Sequence, residues 1–394
     1  MKENIVIVSA VRTPIGAYGG SLKHISSGHL ATISIKEAIE RAGISAGQVD
    51  EVIMGEVRQT TESSNIARVA ALRSGVKEEA TAYTVNRLCA SGMQAVTSGF
   101  QQIIFDQADI VVAGGTESMS RSPLYLRDAR FGGDRPILVD GNTEAGQQPT
   151  EIYGENLGMG ITAENVAEMY QISREDQDDF AAESQRRAMK AIEEGRFKDE
   201  IVPVEIKERK RTFMFEQDEH PRPNTTIDKL AKLKPAFKEN GTVTAGNTCG
   251  RNDGSTALVL MKESQAKDLA LKPLARVVEW ATVGVSPKVM GIGPIPAVQK
   301  LLKQTNKQLQ DIDLFELNEA FASQSLAVIR ELGLDIDKVN VNGGAIALGH
   351  PVGSSGARII TTLLHELIKR KQQFGIATLC AGGGQGMAIM IEQV

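Results

Sequence analysis

Cys89 stands in Asn86-Arg87-Leu88-Cys89-Ala90-Ser91-Gly92-Met93, between a β-branched run and a segment with helical spacing that continues to about Phe105. A strand, a tight turn, a reactive side chain and a helix N-terminus make a nucleophile elbow. The partial positive charge of a helix start lowers a thiol pKa from about 8.5 and favours thiolate. Ala90, Ser91 and Gly92 leave room for a substrate carbonyl. This setting predicts a cysteine nucleophile, against the alternative of a small buried hydrophobe.

Such a nucleophile needs a base. Of the five histidines, only His350 is flanked by glycine and proline, in Gly349-His350-Pro351-Val352-Gly353. The glycines leave room for a ligand beside the ring, and Pro351 stiffens its support. The alternative is a satisfied core histidine. A phosphate loop does not fit, because lysine and the proper spacing are both missing. His24, His29, His220 and His365 have charged or amphipathic neighbours and read as surface or rim residues. Cys380 precedes Ala381-Gly382-Gly383-Gly384, where backbone N–H groups can converge on an oxyanion and a thiol could move a proton at a carbon acid. Asn318, in Asn318-Glu319-Ala320-Phe321, offers an amide to hold water or a carbonyl oxygen.

These residues need elements to hold them. In the N-terminal third, Asp50 to Gly55, Tyr83 to Asn86 and Asp109 to Gly115 read as strands, while His29 to Ala42 and Asn65 to Arg73 read as helices. The order recurs near the C terminus. Asp313 to Asn318, Lys338 to Asn342 and Gly375 to Cys380 read as strands, and Ser323 to Leu332 and Ser354 to Lys371 as helices. Val112-Ala113-Gly114-Gly115 also matches Cys380-Ala381-Gly382-Gly383. An internal duplication of an α/β unit is expected. Cys89, Asn318, His350 and Cys380 then all fall at strand ends, where open α/β sheets place their sites. Between the halves, from about Ser120 to Asn247, the rhythm breaks. Ser173-x-x-Asp176 there is a capping signal, and Lys207 to Arg211 with Lys229, Lys232, Lys234 and Lys238 concentrate positive charge. That cluster reads as a solvated face or as a landing site for a phosphorylated ligand.

The composition narrows the choice. A net charge of −5 gives no general attraction to nucleic acid. No stretch reaches the ~18 apolar residues of a membrane span, and no signal-peptide pattern precedes Ile5, so a cytoplasmic location is expected. Cys89, Cys249 and Cys380 are odd in number and widely spaced, which argues against a disulfide framework and a zinc knuckle.

Taken together, Cys89-Ala90-Ser91-Gly92, Asn318-Glu319-Ala320-Phe321, Gly349-His350-Pro351 and Cys380-Ala381-Gly382-Gly383-Gly384 resemble the thiolase family, and within it the acetyl-CoA-condensing members. The resemblance runs from Val8 to the C terminus and includes Gly114 to Met119, Gly160 to Asn165 and Asn252-Asp253-Gly254. It implies an α/β fold in which two duplicated halves form a five-layered α/β/α/β/α core. An N-terminal half over 1–265 would carry an inserted loop domain at about 119–249, and a C-terminal half would span 272–394.

It also implies a ping-pong condensation of two acetyl-CoA to acetoacetyl-CoA and coenzyme A, reversible as thiolysis. Cys89 would carry the acyl group, His350 would accept its proton, and Cys380 would deprotonate the second acetyl-CoA. One oxyanion hole would be His350 with a water held by Asn318, the other the N–H groups of Cys89 and Gly382. Arg222, Phe237, Ala245, Met159, Ala320 and Phe321 match coenzyme A contacts, Cys249 a substituted contact, and Met290 a residue near the acyl group. CoA thioesters are the implied substrates, with no metal or further cofactor, no nucleic acid and no membrane, in a homodimer or homotetramer. Two positions depart from the usual pattern: Gly158 stands where many members carry histidine, and Thr248-Cys249 where they carry Ala-Ser. Acyl-chain preference is therefore left open, and a broader-range 3-ketoacyl-CoA thiolase is the alternative. A decarboxylating ketoacyl synthase would want histidine at Asn318 and no Cys380 motif. A non-enzymatic acyl-CoA-binding protein would not need all four side chains.

Overall fold

The computed structural model describes residues 3–132, 135–143, 146–154, 157–209 and 211–394. Lys210 of the basic cluster, and Met1 and Lys2, lie outside the described residues.

The first run of strands is β1 (Ile5–Arg12), β2 (Glu51–Gly55), β3 (Thr81–Val85), β4 (Ile110–Ser118) and β5 (Asn252–Lys262). They pair in the order β3-β2-β4-β5-β1, parallel from β3 to β4 and antiparallel beyond. The second run is β6 (Ala275–Gly284), β7 (Leu314–Leu317), β8 (Phe374–Ala381) and β9 (Gln385–Gln393). Its order β7-β8-β9-β6 repeats the same senses. The duplication expected from the sequence is thus present as topology. The runs meet edge to edge where β1 pairs with β6 through Val6–Arg276 and Ile7–Ala275.

The second run lacks a counterpart of β3, and here the sequence expectation fails. Val339 makes only an isolated bridge to Phe315, and Asn340 turns into the left-handed region at φ 46°. Its carboxamide replaces the missing strand: Oδ1 accepts from Leu317 N at 2.8 Å, and Nδ2 donates to Leu317 O at 2.8 Å. A side chain can complete a β-ladder locally and so remove the need for a neighbouring strand. The matched glycine pairs also occupy different places. Gly114 and Gly115 lie inside β4, while Gly382 to Gly384 form the turn between β8 and β9.

Five layers result. Outside the first run lies α1 (Ser27–Ala42), capped by Ser26 and ended by Gly43 at φ 71°. Between the runs lie α2 (Ser91–Ile104) and, later in the chain, α5 (Val352–Arg370). Outside the second run lie α3 (Pro294–Thr305) and α4 (Ala322–Leu332). The central apolar cluster joins Met93 and Val96 of α2 and Ile359, Ile360 and Leu363 of α5 to Val111, Leu258, Leu379 and Ile389 from both runs. Separate clusters sit under α1 and under α3 with α4.

The segment between β4 and β5 leaves the core. It holds a hairpin (Leu124–Arg127 with Ile137–Asp140), helices Met159–Met169 and Arg174–Glu193, and a second hairpin (Val204–Lys207 with Thr212–Phe215). Ser173 and Asp176 form the predicted capping box. Arg12 at the end of β1 holds this segment down. It is fully buried and bonds Glu200 at 2.6 Å and Asp218 in bidentate fashion at 2.7 and 2.8 Å. Removing one partner of such a cluster would strand a buried charge.

Candidate active site

Cys89 and His350 precede equivalent helices, and glycine lets those helices meet. A β-carbon on Gly92 would lie 2.8 Å from Ala357 N, and one on Gly356 would lie 2.5 Å from Met93 N. Backbone therefore packs on backbone where α2 and α5 begin. The turn carrying Cys89 is tight. Leu88 sits at φ 49°, and Ser91 locks the turn by donating from Oγ to Leu88 O at 2.6 Å and accepting from Arg87 N at 2.9 Å. The electrostatics differ from the thiolate expectation. Burial pushes the Cys89 thiol above its ordinary value, while the N–H groups of Gly382 and of Cys89 itself and the charge of Arg58 pull the other way. Desolvation outweighs the helix end, and Cys89 rests as a thiol.

His350 is buried, and its environment fixes its proton. The Ser355 hydroxyl donates to Pro351 O at 2.9 Å. Its one proton is thus committed, so at 2.6 Å it accepts from His350 Nδ1–H. Nε2 is left as a lone pair, buried and without a partner among the described residues. Burial and then the charge of Arg358 push the ring down to about 3, so it is neutral at ordinary pH. A neutral imidazole with a free Nε2 is a proton acceptor. Asn252 completes the support by accepting from His350 N at 2.9 Å.

Cys380 is the last residue but one of β8 and is buried. Burial pushes its thiol well above the ordinary value, and the Cys89 and Cys249 thiols add to the rise. In the turn that follows, Gly383 and Gly384 take φ 75° and 85°, and a β-carbon on Gly382 would collide with Gln147 Oε1. Asn318 is fully buried, and neither atom of its carboxamide has a partner among the described residues. Such a group wants water or a ligand oxygen.

One cavity of about 430 Å³ is lined by Cys89, His350, Cys380, Gly382, Met159, Met290, Ala320, Phe321, Phe237 and Cys249. Asn318 does not line it. Arg222 and Ala245 line a second cavity of about 700 Å³, which shares Phe237, Thr248, Cys249 and Gly250 with the first. Phe237 leans edge-on against Phe321, with ring centroids 6.3 Å apart. Cys249 is pinned by its N–H to Ala320 O at 3.1 Å. Lys229 joins Arg222 in the second cavity, whereas Lys207 and Arg211 pair with Glu205 and Glu208 on the exposed hairpin. The basic cluster is thus split between a cavity wall and a solvated hairpin. His220 also lines the second cavity. His365 is half-buried, and its Nε2 meets Ala10 O at 2.9 Å.

Sequence reasoning missed Ser355, Asn252 and a carboxyl pair near the nucleophile. Glu117 is fully buried and accepts from Val57, Arg58 and Gly353 N–H groups, each at 3.0 Å. Glu56 accepts from Ser27 Oγ at 2.6 Å, and its other oxygen has no partner among the described residues. Burial raises Glu117 to about 7 and Glu56 to about 8, with the charge of Glu117 adding to the rise at Glu56. A carboxyl raised in the fold contributes stability that is full below its unfolded pKa and is lost as pH rises through the folded value. At ~1.4 kcal/mol per pKa unit the span at Glu56 is on the order of a few kcal/mol. Glu56→Gln keeps an acceptor for Ser27 and removes the proton dependence. Thermal melts from pH 5 to 9 will show the unaltered chain losing stability relative to this variant as pH rises; parallel melting curves across the range would refute the effect.

A duplicated five-layer α/β core with two thiols and a neutral histidine gathered at its centre defines a thiolase, and the chain belongs to the thiolase family. The family models for the thiolase N-terminal and C-terminal domains match residues 5–264 and 271–393. The chain is 53% identical to an acetyl-CoA acetyltransferase of Escherichia coli (strain K12), over all of both chains. The solved acetyl-CoA acetyltransferase of Bacillus anthracis is 49% identical and superposes with a TM-score of 0.97, over 100% of this chain and 99% of that one. Human mitochondrial 3-ketoacyl-CoA thiolase in complex with CoA is 44% identical with a TM-score of 0.94, over 100% and 98%. The chain is an enzyme of the acyltransferase class.

Proposed function

We propose that this enzyme is an acetyl-CoA C-acetyltransferase working by a ping-pong mechanism through an acyl-Cys89 thioester. The observation that carries the reading is one cavity holding Cys89, Cys380 and a His350 whose Nε2 is free. Nε2 takes the Cys89 proton as the thiolate attacks the acetyl-CoA carbonyl. The C–S bond to coenzyme A breaks, and the departing thiolate takes that proton back. The Cys380 proton then passes to Nε2. Cys380 removes a proton from the methyl group of a second acetyl-CoA, whose carbon attacks acetyl-Cys89. Cys89 leaves as thiolate and takes the proton held by His350. Over the cycle every proton is returned. The tight hold on the Cys380 proton makes its thiolate a strong base, which suits a carbon acid.

The oxyanion assignments rest on the same cavity. The N–H groups of Cys89 and Gly382, which already bear on the thiol, would serve the tetrahedral intermediate, and His350 with an Asn318-held water would serve the enolate. Arg222 and Lys229 in the second cavity suit the phosphates of coenzyme A, with Phe237, Met159, Ala245, Cys249, Ala320 and Phe321 along the pantetheine path and Met290 near the acyl group. No metal or further cofactor enters these steps. We assign the halves as 1–265 and 272–394, with the loop domain at 119–249. A cytoplasmic place fits the described helices, none of which is long and apolar enough to cross a membrane. Exposed Leu124, Leu126, Ile137 and Leu138 on the first hairpin favour a homodimer or homotetramer. The test is acetoacetyl-CoA with coenzyme A. Two acetyl-CoA should form, with parallel double-reciprocal plots, and no cleavage would sink the proposal.

A broader chain-length range is favoured by one observation. Gly158 lines the cavity, and a β-carbon there would meet nothing within 4 Å. A methylene in an apolar pocket changes binding by ~1–3 kcal/mol. Thiolysis of 3-ketohexanoyl-CoA should therefore approach that of acetoacetyl-CoA, and Gly158→His should lower the six-carbon rate roughly tenfold relative to the four-carbon rate. An unchanged ratio would place the limit elsewhere, with Met159 and Met290 the next residues to vary.

A further inference from the structure

We propose that the acyl end of the catalytic cavity accepts 3-ketoacyl chains that end in a carboxylate, and that Arg58 is the residue that selects them. The inference rests on the acyl-transfer reading above and names a substrate class for the same site. The cavity has two ends. Phe237 and Thr248 to Gly250 border the larger cavity with Arg222 and Lys229, whereas Val57, Arg58, Leu88, Asn142 and Gln147 line the catalytic cavity alone. An acyl group on Cys89 extends toward this second set when its coenzyme A lies in the first.

Arg58 is the charged group of that second set. It follows β2, and its backbone N–H donates to Glu117 at 3.0 Å. Its guanidinium makes no hydrogen bond or ion pair among the described residues, and its Nε is buried without a partner. Glu117 feels the charge of Arg58 without pairing with its guanidinium, because its oxygens are held by three backbone N–H groups. The charge reaches the reaction centre, since it acts on the Cys89 thiol. The residue is half-buried, so its cation stands on the cavity wall without the paired carboxylate that a guanidinium fork accepts well. On the same wall, Gln147 Oε1 is buried without a partner among the described residues, whereas Asn142 is satisfied by Met119 O and Ser122 Oγ. The other cation lining the cavity, Arg251, is exposed, lies over the Tyr18 ring and adjoins Gly250 on the coenzyme A side.

Two substrates of equal length separate the cases: 3-ketoadipoyl-CoA, which ends in a carboxylate, and 3-ketohexanoyl-CoA, which ends in a methyl group. Thiolysis of the carboxylated substrate should have a kcat/KM at least about tenfold higher. Arg58→Leu should lower that ratio by about tenfold or more, and Arg58→Lys should restore most of it. Because a general loss of thiol reactivity moves both substrates together, the ratio isolates recognition. Equal rates, a faster neutral substrate, or a ratio unchanged in Arg58→Leu would each overturn the proposal. Cleavage of acetoacetyl-CoA in the same assay tells which reading has failed. If it is cleaved while the ratio is flat, only the Arg58 proposal falls; if it is not cleaved, both fall.

Discussion

Incubated with acetyl-CoA and quenched in acid, the protein will carry one acetyl group, on the peptide containing Cys89, and the Cys89→Ala chain will carry none. The thiol sits where α2 begins, on a turn held by Ser91, with two N–H groups converging on its sulfur. The burial that keeps it protonated also makes Nε2 of His350 necessary, because no other unpartnered imidazole nitrogen lies buried in the cavity among the described residues. Loss of a covalent nucleophile costs on the order of 10⁴-fold or more in turnover. Label on Cys249 or Cys380 would overturn the assignment. Both open onto the same cavity, so the experiment has real alternatives to reject.

Cys380→Ser will separate the two halves of the reaction. Acylation depends on Cys89 and His350, so the variant should still take up one acetyl group. Condensation should fall by about 10²–10⁴-fold, the usual worth of a general base, because a serine hydroxyl in that buried place holds its proton more tightly still. Exchange of deuterium from solvent into the methyl group of acetyl-CoA should fall with it. If the variant fails to acylate while its melting temperature is unchanged, the division between the two thiols is wrong.

Cys89, His350 and Cys380 were legible as candidates in the sequence because each stands at a strand or helix boundary with glycine or proline within three positions, a setting that a core residue does not need. The order of strands and helices was legible for the same reason, since periodicity records which face is buried. Lys338 to Asn342 misled, because a β-branched pattern does not reveal that Asn340 would use its carboxamide as a strand edge. The protonation state of Cys89 was misjudged, because a helix start is visible in sequence and desolvation is not. Ser355 lies five residues beyond His350, yet its part in fixing the ring depends on its proton being committed to Pro351 O. Arg58 had no motif around it. Only the cavity wall reveals what it faces.

The meeting of α2 and α5 has a genetic corollary. The nearest groups that a side chain at Gly92 or Gly356 would strike are main-chain atoms of the other helix: Ala357 N and Gly353 O for one, Met93 N for the other. No smaller residue can be substituted for a peptide bond. Alleles such as Gly92→Ala should therefore yield revertants at the altered codon and no second-site suppressors in the opposing helix, although the two segments are more than 250 positions apart in the gene product.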